Sequence, residues 1–390
     1  MPARTWGRMN TVNSKRHLPP TPSQEGGVAK RIFSFPKRKK LPLLGRGPGG
    51  GVIFFILFIV SVQSTLAQPP FRVMFYNVEN LFDTEDNPDK ADEEFTPAGA
   101  RRWTNKRYYK KINNIAKVIS SVGEWDTPAL VGLCEVENGK VLDDLTKYSP
   151  LKKRGYRYVI TEPGDARGIN VALLYERERF RYLSHESIQL HFPDDSTRTS
   201  RDILHVSGQL ITRDTLDVFV CHFPSRRDGQ WESEPNRILA ASVLKAKTDS
   251  LMLVRANPYI IIMGDFNDEP RDKSLSKILK AEKVGDAINP TGLYNLFWTV
   301  EQSSHTGTYK YRQRWNFLDQ IIVSGSMLEE DSPIKALPQT ATIYQPAFLL
   351  TRDKTHGGKR PKKTYHGYKY EGGYSDHLPI WADVELRIKN

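Results

Sequence analysis

Six short stretches of this chain carry residue types that could do chemistry, and each sits at an end of an apolar run. In Ile260-Ile261-Ile262-Met263-Gly264-Asp265-Phe266-Asn267-Asp268 the apolar segment stops at Gly264 and hands over to Asp265, Asn267 and Asp268. Phe71 to Tyr76 leads to Asn77 and Glu79, and Ala129 to Cys134 leads to Glu135. Thr215 to Cys221 delivers His222, Phe317 to Val323 carries Asp319, and Ser375-Asp376-His377 precedes a closing run. Rigid strands that deliver polar groups to one rim hold them to the tolerance catalysis needs. Each stretch alone also has a plainer reading. Gly, Asp, Asn and Pro are ordinary turn residues, Glu135 suits a surface strand end, and His222 suits a satisfied core histidine.

Converging carboxylates repel one another unless a hard cation sits among them. Oxygen donors with few histidines and no paired cysteines favour Mg2+ or Mn2+ over zinc. Two histidines with several aspartates are also what phosphoester hydrolysis asks for. A metal neutralises phosphoryl oxygens, a base or oriented water attacks in line, and a donor protonates the leaving oxygen.

The elements that must position these groups follow from periodicity. Asn105 to Val122 has helical spacing, with Tyr109, Ile112, Ile115, Ile119 and Val122 as an apolar stripe and Lys106, Lys110 and Lys111 opposite. Asn236 to Leu253 predicts a second long helix, and Val141 to Leu145 starts another. Tyr156–Ile160 with Ile169–Tyr175, and Asp202–Ile211 with Thr215–Cys221, predict two paired-strand units. Hairpins alternating with helices predict one α/β domain with mixed or antiparallel sheets.

The ordered set Asn77-Val78-Glu79, Glu135, Gly264-Asp265-Phe266-Asn267, Leu318-Asp319-Gln320 and Ser375-Asp376-His377 resembles the endonuclease/exonuclease/phosphatase superfamily, over about residues 70–388. That superfamily includes pancreatic-type deoxyribonucleases, abasic-site endonucleases, sphingomyelinases and inositol-polyphosphate 5-phosphatases. Tyr76-Asn77-Val78-Glu79-Asn80-Leu81-Phe82 and His222-Phe223-Pro224-Ser225-Arg226 look most like its secreted bacterial nuclease-like members. The resemblance implies an α/β four-layer sandwich, two mainly antiparallel β-sheets flanked by helices, with the site at one rim. It implies Glu135 as principal metal ligand, with Asn77 and Asp376 close by. Asp265 would orient or deprotonate the attacking water, and Asn267 would contact phosphate or metal. His377, oriented by Asp319, would hydrogen-bond a phosphoryl oxygen. His222 would contact the phosphate or protonate the leaving group. Glu79 stands where the family varies. Arg167, Arg201, Arg226 and Arg237 are candidate phosphate contacts on bidentate geometry, with surface salt bridges as the alternative.

Charge says little about partners. Residues 1–67 hold 11 of the 57 Lys and Arg but one of the 45 acids, which leaves 46 basic against 44 acidic side chains beyond them. A duplex-binding face is therefore not visible globally. The basic, tyrosine-rich loop 351–374 is where it could arise locally. The expected substrate is nucleic acid, with a phospholipid head group or small phosphate ester as the alternative. A catalytically inactive binding module on the same fold is a third reading, opposed by the full set of polar groups. No protein partner is inferred, and the chain is expected to act as a monomer.

Lys37-Arg38-Lys39-Lys40, the apolar Val52–Val62 and the small residues ending at Ala67 form the three-part pattern of a signal peptide. Residues 1–67 are read as a basic leader, possessing a start codon set too far upstream, and 68–390 as the functional domain. The expected location is secreted or periplasmic, with a retained membrane anchor as the alternative. Cys134 and Cys221 suit either one disulfide or, by their apolar settings, two small core residues.

Overall fold

The computed structural model describes residues 70–123, 126–161, 164–193, 199–227, 229–303 and 307–388, so the leader and its export segment lie outside the described residues. In chain order the strands begin with β1 (Phe71–Leu81), β2 (Leu130–Val136), β3 (Tyr156–Ile160), β4 (Asn170–Glu176), β5 (Arg181–Ile188), β6 (Ile203–Gln209), β7 (Thr215–His222) and β8 (Tyr259–Asp265). They continue with β9 (Ala281–Lys283), β10 (Leu293–Asn295), β11 (Tyr309–Tyr311), β12 (Arg314–Asn316), β13 (Asp319–Ser324) and β14 (Ile334–Ile343). The last are β15 (Leu350–Arg352), β16 (Lys359–Pro361), β17 (Tyr365–His366), β18 (Lys369–Tyr370) and β19 (Ile380–Leu386). The helices are α1 (Asn105–Val122), α2 (Gly139–Lys147), α3 (Glu234–Val254) and the short α4 (Trp298–Ser303). Among the described residues no helix is long and apolar enough to cross a membrane.

Two large sheets form, in the orders β14-β19-β1-β2-β4-β3 and β5-β6-β7-β8-β13-β10-β9, beside the small ribbons β11-β12, β15-β16 and β17-β18. Most neighbours are antiparallel, as expected of hairpin-rich segments. At the centre of each sheet one pair is parallel, β1 with β2 and β7 with β8. A parallel pair needs a long crossover, and these are the segments that hold α1 and α3. The carboxyl ends of both central pairs lie at one end of the sandwich, where α/β sheets gather ligands.

Side-chain alternation sets the layers. In β8, Ile261 and Met263 join the core between the sheets, while Ile260 and Ile262 join a second core with Ala240, Ala241 and Leu244 of α3. β7 splits the same way, Val218 and Val220 inward and Phe219 and Cys221 outward. The α1 residues Ile112, Ile115 and Ile119 pack in the first core. The sheets approach closely: a Cβ on Gly132 of β2 would meet the Met263 sulfur at 2.6 Å. Gly264 is likewise a packing glycine, since its Cβ would meet the Cys221 carbonyl oxygen at 2.5 Å. The apolar run ends there, as the sequence reading has it, and the strand carries Asp265 to the rim.

Two expectations change. Ile112, Ile115, Ile119 and Val122 of the expected α1 stripe are buried, but its first member is not: Tyr109 is 48% exposed, Tyr108 is buried in its place, and Lys111 is inside at 1%. Lys111 lies three residues after Tyr108 and four before Ile115, so it shares their face. Residues 351–374 are no loose loop but two small ribbons, β15–β16 and β17–β18. Both cysteines are free and buried, so the core reading of them stands and the disulfide does not.

Candidate active site

The layer rule places the site. On the inner face of β7 the series Val218, Val220 ends in His222; on β8 Ile261, Met263 ends in Asp265; on β13 Val323, Ile321 ends in Asp319. Register aligns the three, with His222 and Asp319 both opposite Asp265. Polar groups thus occupy the last inner row of an otherwise apolar interface. From the facing sheet, Asn77 donates from Nδ2 to Asp265 Oδ2 at 3.0 Å and to Glu135 Oε1 at 3.3 Å. β19 begins beside β1, so the turn before it brings Ser375, Asp376 and His377 to the same rim. Ser375 donates to the Asn77 carbonyl at 2.7 Å, and the His377 amide donates back to Ser375 Oγ at 3.0 Å.

Backbone conformation does the rest. β1 continues past Asn77 through an irregularity, with Glu79 and Asn80 at φ 52° and 50°. Glu135, at φ 61°, is the extra residue of a β-bulge between β2 and β4. Asn267 has φ 51°. Of eight described non-glycine residues with left-handed backbone, four are at this rim. Such conformations cost roughly 1–3 kcal/mol each and gather at functional sites. Here they have an evident use: the bulge turns Glu135 so that the Asn80 amide caps its Oε2 at 2.8 Å.

Electrostatics divide the site in two. His377 Nδ1 bonds Asp319 Oδ2 at 2.7 Å, and its Nε2 lies 3.6 Å from Asp265 Oδ2. Burial alone would lower this imidazole, but Asp319 and Asp265 outweigh it and hold it well above the ordinary histidine value. His222 Nε2 lies 3.8 Å from Asp265 Oδ2. Burial, with the positive Arg201 and Arg167 nearby, keeps His222 well below its ordinary value and neutral. A neutral buried imidazole is poorly suited to protonate a leaving group and well suited to donate a hydrogen bond. Burial raises Asp265, with His377 opposing and Asp319 adding to the rise.

On the other side, burial and then the like charge of Asp376 raise both Glu135 and Glu79, the latter to about 7. Lys111 answers Glu79 from within the fold. Its Nζ lies 3.6 Å from Glu79 Oε2 and donates to Thr364 Oγ1 at 2.5 Å and the Tyr374 carbonyl at 2.7 Å. The like charge of Asp376 acting on Glu135 and Glu79 is what a divalent cation would relieve, and Glu135, Asp376 and Asn77 carry hard oxygen donors on this side of the rim. Among the described residues, the groupings that bring possible ligand atoms within 4.8 Å of each other are Asp265–Asp319–His377 and Cys134–His222–Asp265, on the other side of the rim from Glu135 and Asp376. The first is already closed by its own hydrogen bond. In the second, burial and then Asp265 push the Cys134 thiol up, so it stays protonated.

The arginines separate. Arg167 and Arg201 lie at the site, both paired with Asp165, and Arg201 also donates to the Phe223 carbonyl at 2.7 Å. Arg226 donates to the Asn267 carbonyl and reaches Asp268 at 3.1 Å and Asp272 at 2.7 Å. Two of its three nitrogens are thereby committed to the Asn267 turn. Arg237, on the first turn of α3, is fully buried 2.7 Å from Asp268, and is a packing ion pair rather than a phosphate contact. Sequence reasoning missed Lys111, Cys134 and Tyr309. The Tyr309 ring lies 4.8 Å from the His377 imidazole.

The profile of the Endonuclease/Exonuclease/phosphatase family matches residues 72–386. The chain belongs to this family. Among solved family-like folds, a humanized D. rerio TDP2 superposes with a TM-score of 0.50 at 13% identity, covering 81% of this chain and 99% of that one. A Bacteroides thetaiotaomicron endonuclease/exonuclease/phosphatase family protein gives 0.49 at 15%, with 81% and 97% covered. The human Nocturnin catalytic domain gives 0.47 at 16%, with 81% and 94% covered. These likenesses are of fold. No curated protein matches the sequence. The family's α/β sandwich of two mainly antiparallel sheets is the fold observed, and potential metal-binding groups are present at its rim.

Proposed function

We propose that this family member is a divalent-metal-dependent phosphodiesterase acting on nucleic acid. The observation that carries the reading is the row His222–Asp265–Asp319 facing Asn77 and Glu135, with His377 closing it. Glu135, Asp376 and Asn77 would hold Mg2+ or Mn2+, whose charge, when bound, neutralises phosphoryl oxygens. Asp265 Oδ2 faces both imidazoles and is placed to take the proton of an attacking water. Its raised affinity for protons suits a base working near neutrality. His377 donates from Nε2 to a phosphoryl oxygen while Asp319 fixes its ring, and neutral His222 donates a second hydrogen bond. Asn77 orients Asp265 and Glu135 at once. Asn267, held by Arg226, completes the phosphate's surroundings, and Arg167 faces the same space.

The test is release of product from a plasmid, an RNA, sphingomyelin and a simple phosphodiester, each with Mg2+ and with excess chelator. Metal-dependent cleavage of the nucleic acids supports the reading, and cleavage of sphingomyelin alone moves it to the lipid head group. We also propose export through the Val52–Val62 segment. Amino-terminal sequencing of mature protein should begin near Gln68; an intact leader on membrane-bound protein contradicts it.

A further inference from the structure

Beside the catalytic row stands a wall that the hydrolytic reading leaves without a task. A narrow crevice, of about 10 Å³, is lined by Glu79, Asn80, Phe95, Arg101, Thr364 and Tyr365, so the metal-side loop forms one edge and aromatic residues the other. Outward from it, the Arg101 guanidinium lies over three rings, Phe95 at 4.9 Å, Tyr365 at 5.2 Å and Tyr368 at 5.6 Å. Arg107 lies 4.4 Å over Tyr370, and Lys110 5.9 Å over the same ring. The β17–β18 ribbon is closed by a two-residue turn with Gly367 at φ 57°, which suits a tight hairpin. Tyr368, at the tip of that turn, is 69% exposed. Lys106, Lys110 and Lys369 are exposed on the same wall, and among the described residues none forms an ion pair.

An exposed ring fixed on a rigid turn is a stacking surface. Three uncompensated lysines around it attract a chain of phosphates. Together they are the two components of a single-strand site, aromatic platforms and a cationic track. A duplex hides its base faces, and a lipid head group has no π face to set on a tyrosine. We infer that this wall is a subsite for single-stranded nucleic acid, with an unpaired base stacked on Tyr368 and phosphates along Lys106, Lys110 and Lys369. The inference rests on the phosphodiesterase reading and narrows its substrate to an unpaired strand. The strand would run over the surface from Tyr368 past Arg101 toward the metal side of the site.

Binding of a fluorescent oligothymidine, measured in excess chelator so that no turnover occurs, tests the wall apart from the chemistry. Tyr368→Ala should weaken binding roughly tenfold, while Tyr182→Ala on the far edge strand β5 should not. Changing Lys106, Lys110 and Lys369 together to Ser should flatten the salt dependence by roughly two units of slope. Affinities within twofold of wild type in both ledge variants overturn the inference. So does an equal loss for duplex and single strand, or a loss confined to anionic phosphatidylserine vesicles. Turnover of bis(4-nitrophenyl) phosphate by the wild-type chain reports on the hydrolytic reading alone. Its absence beside intact, Tyr368-dependent strand binding would fail that reading and support the wall.

Discussion

Two buried histidine–aspartate pairs involve the second sheet, one on each of its faces, and they have opposite characters. On the outer face, His205 Nε2 bonds Asp217 Oδ1 at 2.9 Å, and Ser207 donates to the same oxygen. Arg255 adds Nε to Oδ2 at 2.8 Å and Nη2 to Oδ1 at 2.9 Å, and the His205 ring stacks on Phe219 at 4.5 Å. At the inner rim, His377 bonds Asp319 Oδ2, but Asp319 Oδ1 and His222 Nδ1 are buried with no hydrogen-bond partner among the described residues. Residue type does not tell these pairs apart. Satisfaction does: the outer carboxylate is complete, and the inner one is left with capacity to bind. Buried polar atoms left unmatched cost stability, and proteins keep them where a ligand or transition state will complete them.

The comparison breaks most sharply under substitution. Asp265→Asn should cut phosphodiester turnover by about 10³-fold, while its melting temperature holds or rises because a crowded buried charge is gone. Asp217→Asn should do the reverse. It leaves Arg255 and His205 facing a neutral amide, and denaturant unfolding should show a loss of about 3 kcal/mol with turnover within twofold of wild type.

Acid should separate the two faces as well. Although burial opposes it, the hydrogen bonds from His205, Arg255 and Ser207 depress Asp217 to about 2, from its ordinary value of 3.8. A depressed carboxylate contributes its stability above the unfolded value and loses it as pH falls through the folded one. Wild type should therefore lose about 2 kcal/mol between pH 4 and pH 2 from this group. Asp217→Asn should lack that component, which urea unfolding at stepped pH will measure.

The smallest effect concerns Arg226. If it holds the Asn267 turn, Arg226→Gln should lower kcat roughly tenfold with KM nearly unchanged. A rise in KM at constant kcat would make it a phosphate contact instead.

Much of this was legible in the chain because strand alternation is strict. An apolar run that ends in Asp265, His222 or Glu135 announces a polar group at a strand's end, and the bounds of α1 followed from its stripe alone. What stayed hidden depends on backbone torsion and distant packing. Nothing in the sequence marks Glu135 as left-handed, whereas Asn267 is of a type that tolerates that backbone. Lys111 reads as a surface lysine until Glu79 and Tyr374 are seen around it. The packing role of Gly264 stayed hidden because its reason, the Cys221 carbonyl, belongs to another strand. β5 was missed because its edge position leaves most of its side chains in water, without the apolar alternation that marks a strand.

The account stands on the claim that Glu135, Asp376 and Asn77 form a cation site that the crowded carboxylates await. Titration calorimetry of Mn2+ into the wild-type chain and into Glu135→Gln measures this without any substrate. The account predicts saturable binding by wild type and at least a tenfold loss in Glu135→Gln, with the variant melting no lower than wild type. Superimposable isotherms for the two proteins would contradict it.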